Sequence, residues 1–142
     1  MAVQRGAEMI DMGANYTGKM GGASVALSAT YWTSNTAPPG AGGTADADVD
    51  GYSVSAQVGM NKIKIGGRYT KHSDIGGRGL DRVNWRMGAD YAMGAWSYGV
   101  TYQKATQDVT ATTEDDSTYL SIGAAYTVGP GIQFGGGLVS VS

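Results

Sequence analysis

Of the 142 residues, 24 are Gly and only three are Pro, so about one residue in six is Gly without a Pro-rich linker or a collagen-like repeat. Charged residues make up 15% and the formal net charge is −2, which excludes the basic footprint of a nucleic-acid partner. With no Cys and one His, disulfide scaffolds, thiolate nucleophiles and Cys-ligated metals are excluded, and no apolar run reaches the ~18 residues of a membrane-spanning helix.

Gly costs about 1 kcal/mol per helix position relative to Ala, so this composition favours extended chain. Period-two alternation predicts eight strands and no helix. The first two are residues 4–16 and 22–33. In the third, residues 51–60, Tyr52, Val54, Ala56, Val58 and Met60 alternate with Ser53, Ser55, Gln57 and Gly59. The fourth, 62–71, sets Ile63, Ile65, Gly67 and Tyr69 against Lys64, Gly66, Arg68 and Thr70. The fifth, 80–92, sets Val83, Trp85, Met87, Ala89 and Tyr91 against Arg82, Asn84, Arg86, Gly88 and Asp90. In the sixth, 95–104, Trp96, Tyr98, Val100 and Tyr102 share a face. In the seventh, 118–128, Leu120, Ile122, Ala124, Tyr126 and Val128 do so, and the eighth is 131–141.

The predicted connections alternate between short (17–21, 61, 93–94, 129–130) and long and polar (34–50, 72–79, 105–117). That rhythm predicts an all-β, antiparallel up-and-down meander, which removes its exposed edges by closing into a barrel. Residues 1–142 then form one barrel domain or a barrel segment.

The parity pattern also predicts which face meets lipid. All 13 aromatic residues fall into two bands. Tyr31, Trp32, Tyr52, Tyr69, Trp85, Tyr102 and Tyr119 lie toward the long-loop ends. Tyr16, Tyr91, Trp96, Tyr98, Tyr126 and Phe134 lie toward the short turns. Transmembrane barrels carry two such girdles, because amphipathic rings settle at the two interfaces. Between the bands the apolar parity is small or medium (Val54, Ala56, Val58, Met87, Ala89, Val100, Ile122, Ala124). The opposite parity carries Lys64, Arg68, Arg82, Arg86 and Asp90. Burying five charges in a small core is prohibitive, whereas lining water with them is cheap, so these five are the expected pore-lining residues.

The segments Gly13-Ala14-Asn15-Tyr16-Thr17-Gly18, Ser24-Val25-Ala26-Leu27-Ser28-Ala29-Thr30-Tyr31 and Gly123-Ala124-Ala125-Tyr126-Thr127-Val128-Gly129-Pro130-Gly131 resemble Gram-negative general porins, above all those of α-proteobacteria. The resemblance covers essentially the whole chain as strand–turn–strand texture. It implies a 16-stranded, trimeric barrel in the bacterial outer membrane, in contact with outer-membrane lipid and lipopolysaccharide. It also implies passive passage of small hydrophilic solutes, with no catalytic residues and no cofactor. Such a barrel needs roughly 300 residues, about twice this chain. The chain also ends Leu138-Val139-Ser140-Val141-Ser142, without the terminal aromatic that the resemblance leads one to expect. Three long and four short connections put both ends on the long-loop side, whereas a complete eight-stranded outer-membrane barrel begins and ends on the short-turn side. The expectation is an internal segment of about half a barrel. Two other readings fit the strand pattern: a standalone eight-stranded barrel with an adhesive or structural role, and a soluble ligand-binding barrel.

Lys64, Arg68, Arg82 and Arg86 fall on two consecutive strands, where they would form one positive wall able to bias ion selectivity. Asp46-Ala47-Asp48-Val49-Asp50-Gly51 matches the first half of a calcium-binding loop, but Gln57 replaces the bidentate Glu of position twelve. An acidic solvated loop is expected, with weak calcium binding or a cation bridge to lipopolysaccharide at Asp46, Asp48 and Asp50 as the alternative. His72 reads as an exposed polar residue and Glu114-Asp115-Asp116 as a loop tip. Gly40-Ala41-Gly42-Gly43 and Gly76-Gly77-Arg78-Gly79 open no helix, which argues against phosphate binding. Glu8 and Asp11, three apart on a strand, face opposite sides and cannot act as a carboxylate pair.

Overall fold

The computed structural model describes residues 8–36, 47–73, 80–110 and 113–142. These form eight strands: β1 (Glu8–Met20), β2 (Ala23–Thr36), β3 (Ala47–Met60), β4 (Ile63–Ser73), β5 (Arg82–Met93), β6 (Trp96–Thr110), β7 (Thr113–Gly129) and β8 (Ile132–Val141). They make one antiparallel sheet in strict sequence order, with β1 and β8 at its two edges. The first residue of β1 and the last of β8 lie at the end of the sheet that carries the long connections.

Turn chemistry explains the short end. Gly21 and Gly22 have φ of 56° and 89°, the pair of left-handed residues that a tight two-residue hairpin of matching twist demands. Asn61 fills the same region at φ 54°, where Asn is among the few side chains tolerated. Pro130 followed by Gly131 closes the last hairpin, with one register shift between Thr127 and Gly129.

Register fixes two faces. Val25, Val58, Ile65, Ala89, Val100, Ile122 and Leu138 follow one another across seven strands. Next to them on the opposite face run Thr17, Ala26, Gln57, Gly66, Gly88, Thr101 and Ser121. The apolar face covers no core. Among the described residues only Ala105 is a buried hydrophobic, whereas Phe134 is 67% and Leu138 81% exposed. Among the described residues no second layer packs on the apolar face of this open sheet. A continuous apolar surface of this extent needs an apolar solvent.

The predicted strands all exist. β2, β3, β4, β6 and β7 run further at their long-loop ends than the alternation indicated, and β1 continues to Met20, so most of the connection expected at 17–21 is paired strand. Residues 105–117, expected as a long polar connection, are instead mostly strand. Thr106 pairs with Asp116 and Asp108 with Glu114, leaving only residues 111–112 outside the described strands. Glu114, Asp115 and Asp116 therefore lie on β7 and not at a loop tip. Thr supports extended backbone, and polar side chains on both faces are no penalty where both faces are wet. Likewise Asp48, Asp50 and Gly51 run extended within β3, paired with Asn35, Thr33 and Trp32, while Asp46 lies outside the described residues. The two Gly-rich stretches 40–43 and 76–79 also lie outside them.

Candidate functional site

The five charged residues expected to line water share one face of β4 and β5. Lys64 stands opposite Asp90, Arg68 opposite Arg86, and Arg82 opposite His72. All five are exposed. Between the arginine pair and the lysine–aspartate pair lie Gly66 and Gly88, also in register, so no side chain fills the space there. Like charges directly opposed across two strands destabilise a sheet, by roughly 0.2–1 kcal/mol. The Arg68–Arg86 pair is therefore not explained by stability.

The rest of that face is hydroxyl-rich. Ser55 donates to Ser28 at 3.2 Å, Thr70 to Ser53 at 3.2 Å, and the Ser24 hydroxyl to the Gly59 carbonyl at 3.1 Å. These side chains hydrogen-bond along the wall and remain open to water. The face combines fixed positive charge with neutral hydrogen-bonding groups, a surface that wets and attracts anions.

The other face carries the aromatic rings. Tyr52 and Tyr69 are 5.9 Å apart, Trp85 and Tyr102 5.1 Å, and Trp96 and Tyr126 4.8 Å between ring centres. Two of the expected girdle residues do not belong here. Trp32 pairs with Gly51, and Tyr119 with Gln103, so both project from the polar face. The sequence holds the signal. Trp32 directly follows Tyr31, and Tyr119 directly precedes Leu120, and neighbours on a strand cannot share a face.

His72, expected as an exposed polar residue, is half-buried on β4. Its ring meets that of Trp32 edge-on, with centres 5.1 Å apart and planes at 62°.

Above the rings, ion pairs hold the long-loop end together. Lys71 Nζ lies 2.8 Å from an Asp81 carboxylate oxygen, and Lys104 Nζ 2.7 Å from Asp116. The Lys104 ammonium, and then the Thr106 hydroxyl donating at 2.7 Å, hold the Asp116 carboxyl below its ordinary value of 3.8. A carboxyl depressed on folding stabilises the hairpin above its unfolded pKa and loses that contribution as pH falls through the lower, folded value. The expected result is that amide exchange at the tip of the β6–β7 hairpin speeds up below pH 3.8, after correction for intrinsic rates, and that Asp116→Asn removes this acid-dependent step. An equal step in Asp116→Asn would assign it elsewhere.

Among the described residues no cluster of His, Cys, Asp or Glu has the arrangement of a metal site.

Comparison with known proteins agrees with this two-faced sheet. A family model described as Gram-negative porin matches residues 2–141. The fold is similar to a porin solved at 1.8 Å, with a TM-score of 0.71 and 20% identity, covering 95% of this chain and 46% of that one. It is similar to OccK8 (OprE) of Pseudomonas aeruginosa, with a TM-score of 0.73 and 13% identity, covering 96% and 47%. A loop-deletion variant of OmpT, an outer membrane protein of Vibrio cholerae, gives 0.62 and 16% identity, covering 94% and 49%. No curated protein matches the sequence. The chain thus spans about half the length of the solved barrels it matches. The family model over residues 2–141, met by an eight-stranded sheet with an exposed apolar belt, aromatic rings along it and a charged opposite face, places this chain in the Gram-negative porin family and in the bacterial outer membrane.

Proposed function

We propose that the protein to which this chain contributes is a water-filled channel for passive diffusion of small hydrophilic solutes and ions, without catalysis. The observation that carries this is the polar face itself. Lys64, Arg68, Arg82, Arg86 and Asp90 stand exposed on two adjacent strands, among hydroxyls and paired glycines. With the apolar face toward lipid, this wall faces the barrel interior, and its net positive charge favours anions. Family membership supports a homotrimer, and the outward rings support contact with outer-membrane lipid and lipopolysaccharide.

The test is conductance. Full-length protein, folded into detergent and added to a planar bilayer, is expected to insert in discrete steps whose conductance scales with salt concentration. Folded protein, identified by its heat-modifiable migration, that inserts without conducting would favour the plugged, structural barrel instead.

A further inference from the structure

The polar face holds an aromatic plate that the channel reading does not use. One cross-strand row at the long-loop end reads Asp11, Trp32, Gly51, His72 and Arg82 on β1 to β5. Gly51 is buried, and a side chain there would strike Cζ2 and Cε2 of Trp32 and come within 2.8 Å of the Lys71 carbonyl oxygen. The indole therefore lies over the backbone of β3, and Trp32 stays half-exposed. The His72 ring packs beside it at 5.1 Å between centres. Only Gly at this position leaves room for the indole against the backbone.

Charge flanks the plate asymmetrically. Asp11 is on the β1 side, and Arg82 lies beyond His72 on the β5 side. Two strand spacings separate Gly51 from Arg82, about 10 Å between Cα atoms. A guanidinium on its extended stem shortens this to the span of one substituted ring. Below Arg82 on the same face come Arg68 with Arg86, then Lys64.

We propose that this row is a binding subsite for ring-bearing carboxylates at the long-loop mouth. The ring of the solute stacks on Trp32, and its carboxylate is held by Arg82 and repelled by Asp11. That orientation presents the anion to the top of the positive wall. The inference rests on the channel reading only in giving solutes access to the polar face.

Benzoate and acetate are the probes, since they share the carboxylate and differ in the ring. In full-length protein in a planar bilayer, benzoate added on the long-loop side is expected to modulate chloride current at a concentration about three- to tenfold below that of acetate, the range for one aromatic contact. Trp32→Leu should erase the difference, Trp32→Phe should keep most of it, and Arg82→Gln should weaken both anions. Calorimetric titration of the refolded full-length protein in detergent makes the same comparison without requiring conduction. Equal response to benzoate and acetate, or a preference that survives Trp32→Leu, overturns the proposal. Conduction with no ring preference leaves the channel reading standing, whereas calorimetric preference without conduction removes the channel reading alone.

Discussion

Lysine in place of Val100 is expected to cost the folded wall about 2–4 kcal/mol, and lysine in place of the next residue, Thr101, far less. Val100 lies between Ala89 and Ile122 on the apolar face, midway between the rings of Tyr98 and Tyr102. A charge there must be carried into hydrocarbon or must bend its stem to reach an interface. Thr101 lies between Gly88 and Ser121 on the polar face, where an ammonium keeps its water. Adjacent positions on one strand thus separate the two solvents. Reversible unfolding of full-length protein in lipid vesicles measures both variants. Equal costs would refute the assignment of lipid to the apolar face.

Replacing the basic residues with Gln is expected to shift reversal potential toward cations. A monovalent ion about 5 Å from a unit charge in water gains or loses roughly 0.8 kcal/mol, which screening at physiological salt about halves. The anion-to-cation ratio then falls about fourfold for each charge removed along the path. Arg86→Gln should do more than this. It also relieves the opposition to Arg68, so the variant should be slightly more stable while less anion-selective. Recordings in a salt gradient and the unfolding midpoint read the two effects. An Arg86→Gln channel with unchanged selectivity would remove the wall from the conduction path.

Much of the fold was legible because membrane and lumen force alternation. Tyr52 to Met60 and Val83 to Tyr91 each meet lipid on one side and water on the other, so their composition records the pleat. Legibility ended where the two environments become one. From Thr106 outward on β6, and before Ser117 on β7, both faces are wet, and the ladder continues without an apolar stripe to mark it. Polar composition there imitates a loop. Of the candidate wall, the face shared by Lys64, Arg68, Arg82, Arg86 and Asp90 followed from parity alone. Pairing across strands did not, because register depends on turn lengths that sequence fixes only loosely. That is why the approach of Trp32 to His72, 40 residues apart in the chain, needed the structure.

The two edges of the sheet bear on how such a wall is assembled. Among the described residues β1 and β8 each have a partner on one side only. On the outer side of each, every second residue turns an amide and a carbonyl outward, together roughly twenty unpaired groups, and hydrocarbon charges a few kcal/mol for each. A penalty of tens of kcal/mol cannot be carried by a sheet that is only part formed. Strands joining one at a time within the bilayer would face it at every step, since each addition merely moves the open edge. Insertion is therefore expected to be cooperative, with the edges paired or shielded before the apolar face enters lipid.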